Sequence, residues 1–459
     1  MTSKAQQWSS QRAFILAVTG AAVGLGNIWR FPYMTGENGG SAFLLLYILF
    51  VLILGLPVMM AEIMVGRAGR AGPMQSLMNM ARENGASPQW RHIATLGAVT
   101  LFLILSFYGV VSGWSLAYIG KSISGDFAGQ PPNVIGGIFG QFLENVPLLL
   151  ICHLIFMVLT MAVVARGVTQ GLERLNNLLM PLLYLLLLLL AGYAVTTPGF
   201  GEAMKWLFLP NPEAITWKAT LDAMGHAFFT LAIGACALMA YGAYMPPEQS
   251  LPKAVIAVAI LDVGVALLSG IAIFSVVFSH GMEPAGGPGL MFVTLPIAFS
   301  DITGGTWLSA AFFVLLLLAT WTSSINLAEP MVAMLIDKGW RRGQAAFAVG
   351  VAVWAMGVLS ALSFNVLSDV FPLQALGGIF AGKTVFDLVS SIPPDIFLPL
   401  GGLLIAIFAT RVMPASDGRA ALGGGEAFYR RWRKITVMIS APLVALVLFV
   451  SLLKLWGVF

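Results

Sequence analysis

GAAVGLGNIWRFP, residues 20–32, lies in a stretch apolar enough to cross a bilayer, yet it holds three glycines, an asparagine, an arginine and a proline. Hydrocarbon offers no water to satisfy free backbone N–H and C=O groups. A spanning helix can therefore be interrupted only where protein or a wet cavity surrounds it. Packing alone does not explain Asn27 and Arg30 beside Gly-Leu-Gly. The reading predicts a break here, with the freed backbone groups available as ligands.

Composition agrees with a membrane chain. Of 459 residues, 58% are hydrophobic and 10% charged, with a mean hydropathy of +0.89; soluble domains hold nearer 25% charge. About 20 apolar residues cross the hydrocarbon. Eleven such stretches are expected, at 13–36, 41–65, 92–119, 145–165, 176–196, 219–243, 253–279, 306–335, 344–364, 386–410 and 436–457. The first is not a removable signal peptide in this reading, because a second span follows at once and no small-residue cleavage site closes it. With the N-terminus inside, eighteen of the 24 Lys and Arg fall on the inner side, the positive-inside pattern. This predicts a multi-pass protein of the cell inner (cytoplasmic) membrane with its C-terminus outside.

Several classes are excluded. The pI of about 9.1 comes from short inner loops, and no basic run is interleaved with aromatics as a nucleic-acid groove requires. Cys152 and Cys236 are too few for a disulfide framework. The four histidines lack metal-ligand spacing. No phosphate-gripping loop, nucleophile elbow or zinc-protease motif is present, so the chain reads as a non-enzyme that draws on a gradient.

Three further segments stand out. Residues 225–245, GHAFFTLAIGACALMAYGAYM, carry Thr230 to Gly234 inside a good helix and form the sixth span. Broken first and sixth spans occupy matching places in two five-span halves, the pattern of an inverted-repeat carrier; glycines that merely permit close packing are the plainer explanation. In the eighth span, ATWTSSIN (319–326) has five polar residues in seven, where single hydroxyls would simply bond back to their own helix. Asp262 lies well inside the seventh span, and intramembrane acids are functional candidates. Glu62 is read as a structural pair with Arg67 and Arg70 at the cytoplasmic end.

GAAVGLGNIWRFPY at 20–33, NGGSAFLLLY at 38–47, LPVMMAE at 56–62, FFTLAIG at 228–234, TSSI at 322–325 and Glu329-Pro330 occur in the order found in the neurotransmitter:sodium symporter family. The chain resembles that family, above all its prokaryotic sodium-dependent amino-acid transporters. The resemblance implies an all-α polytopic fold, a 5+5 inverted repeat with discontinuous spans 1 and 6. The divisions are then a tail with an inner latch (1–12), two repeats (13–200 and 201–413), and an inner loop plus eleventh span (414–459).

It also implies sodium-coupled uptake of a neutral L-amino acid by alternating access, with two Na+ ions. Sodium site 1 would comprise Ala22, Asn27, Thr230 and Asp262. Site 2 would comprise the backbone carbonyls of Gly20, Val23 and Ala319 with the hydroxyls of Thr322 and Ser323. The substrate pocket would be lined by Ala22, Gly24, Leu25, Gly26, Ile104, Tyr108, Phe229, Thr230, Ala232, Ala235, Ser323 and Leu327. Positive helix ends at the first break suit a carboxylate.

Two departures from the family matter. Where animal relatives hold asparagine and use a nearby chloride, this chain has Asp262, a fixed charge, so no chloride is expected. His226 lies four residues before Thr230, on the same helix face and within expected reach of Asp262, either as a proton carrier or as a core histidine. At the gates, Arg30 fits the outer arginine. Its acid partner aligns with Ser390, leaving Asp387 or Asp395 as substitutes. Inside, Trp8 and Asp337 match the latch; Ala5 holds the usual arginine position, leaving Lys4 as the partner.

Gly24 replaces the aspartate of monoamine carriers, which favours a substrate bringing its own carboxylate. The remaining lining is apolar and would strand a charged side group at a cost of several kcal/mol. An aliphatic or aromatic amino acid is expected. The rival readings are a proton-coupled carrier using Asp262 and His226, and a non-transporting amino-acid sensor on the same scaffold.

Overall fold

The computed structural model describes residues 8–284 and 290–455. Regular structure among these residues is entirely helical. The long elements are α1 (Gln11–Ala22), α2 (Gly26–Glu37), α3 (Ser41–Gly69), α4 (Pro88–Ile123), α5 (Val146–Val164) and α6 (Val168–Val195). They continue as α7 (Trp217–Thr230), α8 (Ala237–Ala243), α9 (Leu251–Ser279), α10 (Gly305–Ile336), α11 (Arg342–Leu362), α12 (Val385–Val412) and α13 (Gly425–Val450).

Local chemistry sets the starts. Ser10 Oγ accepts the Ala13 N–H at 3.1 Å, Asn145 Oδ1 that of Leu148 at 3.2 Å, and Thr216 Oγ1 that of Ala219 at 3.0 Å. Each is an N-cap of the kind that satisfies an orphan amide.

Among the described residues nine helices are long and apolar enough to cross a membrane, and α1 with α2, bent by 48° at their break, make a tenth. The expected eleven differ at 219–243. There the structure has α7 and α8, of 14 and 7 residues, with 231–236 between them. Hydropathy reads straight through that interruption because its residues are apolar. The last span also begins earlier than 436, since the amphipathic GEAFYRRWRKI at 425–435 runs into it without a stop.

The interrupted helices sit in the middle. α1 packs on α6, α9 and α10; α7 and α8 pack on α3; α4 runs along α10. The most apolar window of α10 is 72% buried and that of α13 only 28%, so α13 lies at the periphery. Leu188, Leu189, Ile260 and Phe347 face outward, as a lipid-facing surface requires.

Both breaks are held by side chains from elsewhere. At the first, α1 closes with Val23 N–H to Thr19 O at 2.7 Å, and the Gly24 N–H is taken by Asn27 Oδ1 at 3.1 Å. At the second, Ala232, Gly234 and Cys236 have φ of +51°, +93° and +60°. Left-handed backbone is costly for a residue with a Cβ unless its surroundings hold it. The hold comes from Glu62. Its carboxylate accepts the N–H groups of Gly234 at 2.8 Å and Leu238 at 3.0 Å, facing the positive start of α8.

This corrects the expected pairing of Glu62 with Arg67 and Arg70. Arg67 instead donates to the carbonyls of Pro246, Pro247, Gln249 and Ala421. In sequence the two basic residues are nearer; in space the bare amides of the break are.

Glu62→Ala leaves two buried amides unpaired, each worth about 1–3 kcal/mol. Its thermal midpoint in detergent is expected to fall by several degrees, with Glu62→Gln intermediate. A midpoint equal to wild type in Glu62→Ala contradicts the assignment.

Candidate functional site

Asp262, fully buried on α9, is the hub of the site. Its Oδ1 accepts from Asn27 Nδ2 at 2.8 Å and from Thr230 Oγ1 at 2.9 Å; its Oδ2 accepts from Tyr47 OH at 2.9 Å. Asn27 Nδ2 also reaches the Asp262 carbonyl at 3.0 Å. Asn27 thus touches both the first break and the acid, while Thr230 is the last residue of α7. Three of the four residues expected at sodium site 1 come together here, and the buried Ala22 ends α1 beside them. An ionised carboxylate without partners would be expensive at this depth. Hydrogen bonds to a charged group contribute roughly 1.5–3 kcal/mol each, so three donors hold the charge in place and leave it attractive to a hard cation.

The residues expected at site 2 also converge. Ser323 Oγ donates to Val23 O at 2.8 Å and to Ala319 O at 3.1 Å; Thr322 Oγ1 donates to Ala319 O at 3.0 Å. The Ser323 hydroxyl therefore joins α10 to a carbonyl of the first break, while Thr322 bonds back to its own helix. Gly20 is near: a Cβ there would stand 2.6 Å from Asn176 Oδ1 and 2.9 Å from Asn326 Nδ2.

The residues expected to line the substrate pocket lie near the two breaks. Gly24 is forced by close approach: a Cβ would strike Ser323 Oγ and come within 3.3 Å of the Tyr108 hydroxyl. A Cβ on Gly26 would meet Thr230 Cα at 3.3 Å, so the two breaks abut. Tyr108 presents its hydroxyl to the backbone N–H groups of Leu25 and Gly26. Ile104, Phe229, Ala232, Ala235 and Leu327 are all buried. Phe229 lies 6.0 Å from the Tyr108 ring, with the Arg30 guanidinium 4.9 Å above its own.

Of the three residues weighed as partner of Arg30, one meets it. Arg30 Nη2 pairs with Asp395 Oδ1 at 2.9 Å. Asp387 is instead spent on the start of α12, where its carboxylate accepts the Thr384 N–H at 3.0 Å in a capping box. Ser390 Oγ bonds back to Asp387 O. The residue that aligns is not the one that faces Arg30, because the Pro393-Pro394 turn carries Asp395 there.

On the inner side, Trp8 donates to Tyr241 O at 3.2 Å and stacks on Tyr241, Tyr244 and Phe14. Asp337 lies over Gly72, and among the described residues it has no ion pair; partial burial pushes its carboxyl above the usual range. Lys4 lies outside the described residues. The buried pair on this side is Arg342 with Glu329, bidentate at 2.8 Å on both arms.

His226 does not reach Asp262. Its ring sits among Phe31, Phe43 and Tyr47, at 5.9, 5.7 and 5.0 Å, and neither nitrogen has a hydrogen-bond partner among the described residues. The core-histidine reading is the one realised. Sequence reasoning missed Tyr47 as a partner of Asp262 and missed the group Asn176, Asn326 and Tyr241. Asn326 closes the polar run of the eighth span, and that run was the available signal.

A polytopic helical bundle with broken helices meeting at a buried carboxylate and a ring of hydroxyls and carbonyls is the architecture of an ion-coupled carrier. The chain belongs to the sodium:neurotransmitter symporter family, whose profile matches residues 5–131 and 139–381. It is 35% identical over 456 residues to the sodium-dependent transporter YhdH of Bacillus subtilis, covering 98% of both chains. A sodium-dependent transporter of Haemophilus influenzae is 31% identical, with 97% and 98% covered. The crystal structure of MhsT in complex with L-phenylalanine superposes with a TM-score of 0.89 at 40% identity, covering 97% of this chain and 99% of that one. The fold is accordingly an inverted-repeat bundle, and the protein is a multi-pass, non-enzymatic sodium symporter.

If Asp395 is the outer partner, Asp395→Asn removes a half-exposed pair worth about 1 kcal/mol, and bound substrate should leave roughly fivefold faster. Asp387→Asn should lower stability through its cap and leave release unchanged. Faster release from Asp387→Asn alone contradicts the assignment.

Proposed function

We propose that the chain couples two sodium ions to the uptake of a hydrophobic neutral amino acid, aliphatic or aromatic, without chloride. The observation that carries this reading is Asp262, a buried carboxylate meeting Asn27 and Thr230, one from each side of the abutting breaks. The first ion rests on that carboxylate, the Asn27 amide oxygen, the Thr230 hydroxyl and the Ala22 carbonyl. The second rests on the carbonyls of Gly20, Val23 and Ala319 with Thr322 and Ser323. Hydroxyls that donate to Val23 and Ala319 turn their oxygens toward a bound cation.

The amino-acid carboxylate docks at the N–H groups of Leu25 and Gly26, which face the Tyr108 hydroxyl, and completes the first sodium shell. Each then tightens the other, because coupling of binding energies is reciprocal. The side chain enters the lining of Ile104, Phe229, Ala232, Ala235 and Leu327. Phenylalanine in the MhsT structure supports an aromatic cargo. Relatives such as the rat taurine transporter, 27% identical, are named sodium- and chloride-dependent. Here the fixed charge of Asp262 takes the place of the anion.

The eleven-span count holds if α7 and α8 are two halves of one span, and the division into repeats at 13–200 and 201–413 follows. With the N-terminus in the cytoplasm and the protein in the inner membrane, α13 ends outside. Arg30, Asp395 and Phe229 close above the pocket and Trp8 closes below. Opening alternates between them. Two charges falling through 100 mV release ~4.6 kcal/mol, enough for a gradient above a thousandfold at tight coupling.

Proteoliposomes given an inward sodium gradient should accumulate phenylalanine or leucine, and a proton gradient alone should drive nothing. Ligand binding without accumulation, or uptake driven by protons alone, overturns the reading. Replacing chloride by gluconate should leave the rate within twofold; a strict chloride requirement contradicts the role of Asp262. Acidic and basic amino acids should fail to compete.

A further inference from the structure

Four buried groups next to the second hydroxyl cluster take no part in holding ion or substrate: Asn176 on α6, Asn326 on α10, Tyr241 on α8 and the indole of Trp8. They form one connected chain. Asn326 Nδ2 donates to Thr322 O, one turn back, at 2.8 Å. Asn326 Oδ1 accepts from Tyr241 OH at 2.6 Å and from Asn176 Nδ2 at 3.2 Å. Tyr241 OH also lies 3.0 Å from Asn326 O, and the Tyr241 carbonyl accepts the Trp8 indole N–H at 3.2 Å. The Trp8 and Tyr241 rings meet edge to face at 5.5 Å. Each of the four is at most 2% exposed.

Such a chain is not needed for packing, since apolar side chains would fill the same space at less desolvation cost. What it supplies is direction. One end is Thr322, whose hydroxyl and backbone belong to the turn that bears Ala319 and Ser323. The other is Trp8, whose backbone N–H donates to Tyr244 O at 3.2 Å and which sits at the inner entry to α1. Both amides lie against Gly20, so the last turn of α1, next to the first break, borders the same network. A buried network with every member satisfied moves as a unit.

We propose that Asn326 is a positioning residue that reports cation occupancy at Val23, Ala319, Thr322 and Ser323 to Trp8 through Tyr241. A cation there pins the 319–323 turn and keeps the Asn326 amide aimed at the Tyr241 hydroxyl, and Tyr241 holds Trp8 in place. When the cation leaves, the turn relaxes, the Asn326–Tyr241 bond is lost, and Trp8 is released together with the start of α1. Asn176 braces the Asn326 amide from α6 and sets which way it faces. This assignment rests on the sodium-symport reading of the site and adds how the inner side learns that the ion has gone.

The test uses the purified full chain, radioactive sodium binding, and hydrogen exchange of residues 8–22 with and without sodium. In wild type, saturating sodium is expected to slow exchange of that segment. Asn326→Ala and Tyr241→Phe, which keeps the ring on Trp8 but lacks the hydroxyl, should bind sodium with at most threefold weaker affinity. In both, sodium's slowing of exchange should shrink at least tenfold. A purely structural role speeds exchange by one factor in both conditions. That outcome, or protection equal to wild type in either folded variant, overturns the proposal. Should Asn326→Ala not fold, Tyr241→Phe carries the test. Absence of sodium binding in wild type would instead overturn the functional reading itself.

Discussion

A polypeptide inside hydrocarbon must satisfy its own backbone, and here the chain does so at two places where it is not helical. The gap at 23–25 and the longer one at 231–236 expose amides and carbonyls that no water of the lipid phase can reach. The first gap is completed locally by Asn27 on the Gly24 N–H and from α10 by Ser323 on the Val23 carbonyl, the second by Glu62 of α3 on the N–H groups of Gly234 and Leu238. Orphaned singly, these groups would cost about 1–3 kcal/mol apiece. Together that is a large part of the stability of an ordinary domain. At the first interruption the groups that make it tolerable, Asn27 and Ser323, are also the ones proposed to hold sodium, so there stability and binding would share atoms.

Charge is rationed in this interior. Asp262 is held wholly by neutral donors, Glu62 by backbone amides, and Glu329 by Arg342. Of these only Asp262 borders both the first break and Thr230. On the proposed reading, a cation entering there would meet a full opposite charge already oriented and would not need to recruit an anion. Arg30 lies above, balanced by Asp395 and resting on Phe229. On the same reading, this order of acid, aromatic ring and ion pair, half-exposed at Asp395, would let the pocket close without burying a second unpaired charge.

Much of this was legible in the sequence because the constraints are local. Apolar length marks spans, and Gly24, Gly26 and Asn27 in a hydrophobic run mark the first break. Thr322 and Ser323 mark the hydroxyl face. The rest depended on distance in space. Glu62 was assigned to basic neighbours along the chain, whereas its amide partners are more than 170 residues away. Asp395 meets Arg30 from the π-helical turn Pro393–Phe397 inside α12, whereas alignment favoured Ser390. Trp8 and Asp337 match the inner latch in sequence; in space the indole lies on Tyr241, and Lys4, the partner expected for the latch, lies outside the described residues. His226 was within four residues of Thr230, yet helix rotation turns it into a ring of aromatics.

The central claim is that two separate oxygen clusters, one around Asp262 and one around Thr322 and Ser323, each grip a bare cation. Equilibrium binding of radioactive sodium to purified protein, in the presence of saturating amino acid, tests it most directly. Two ions per chain are predicted for wild type, one for Asp262→Ala, one for the double variant Thr322→Ala with Ser323→Ala, and none when all three changes are combined. Folded variants that still bind two ions would contradict the account.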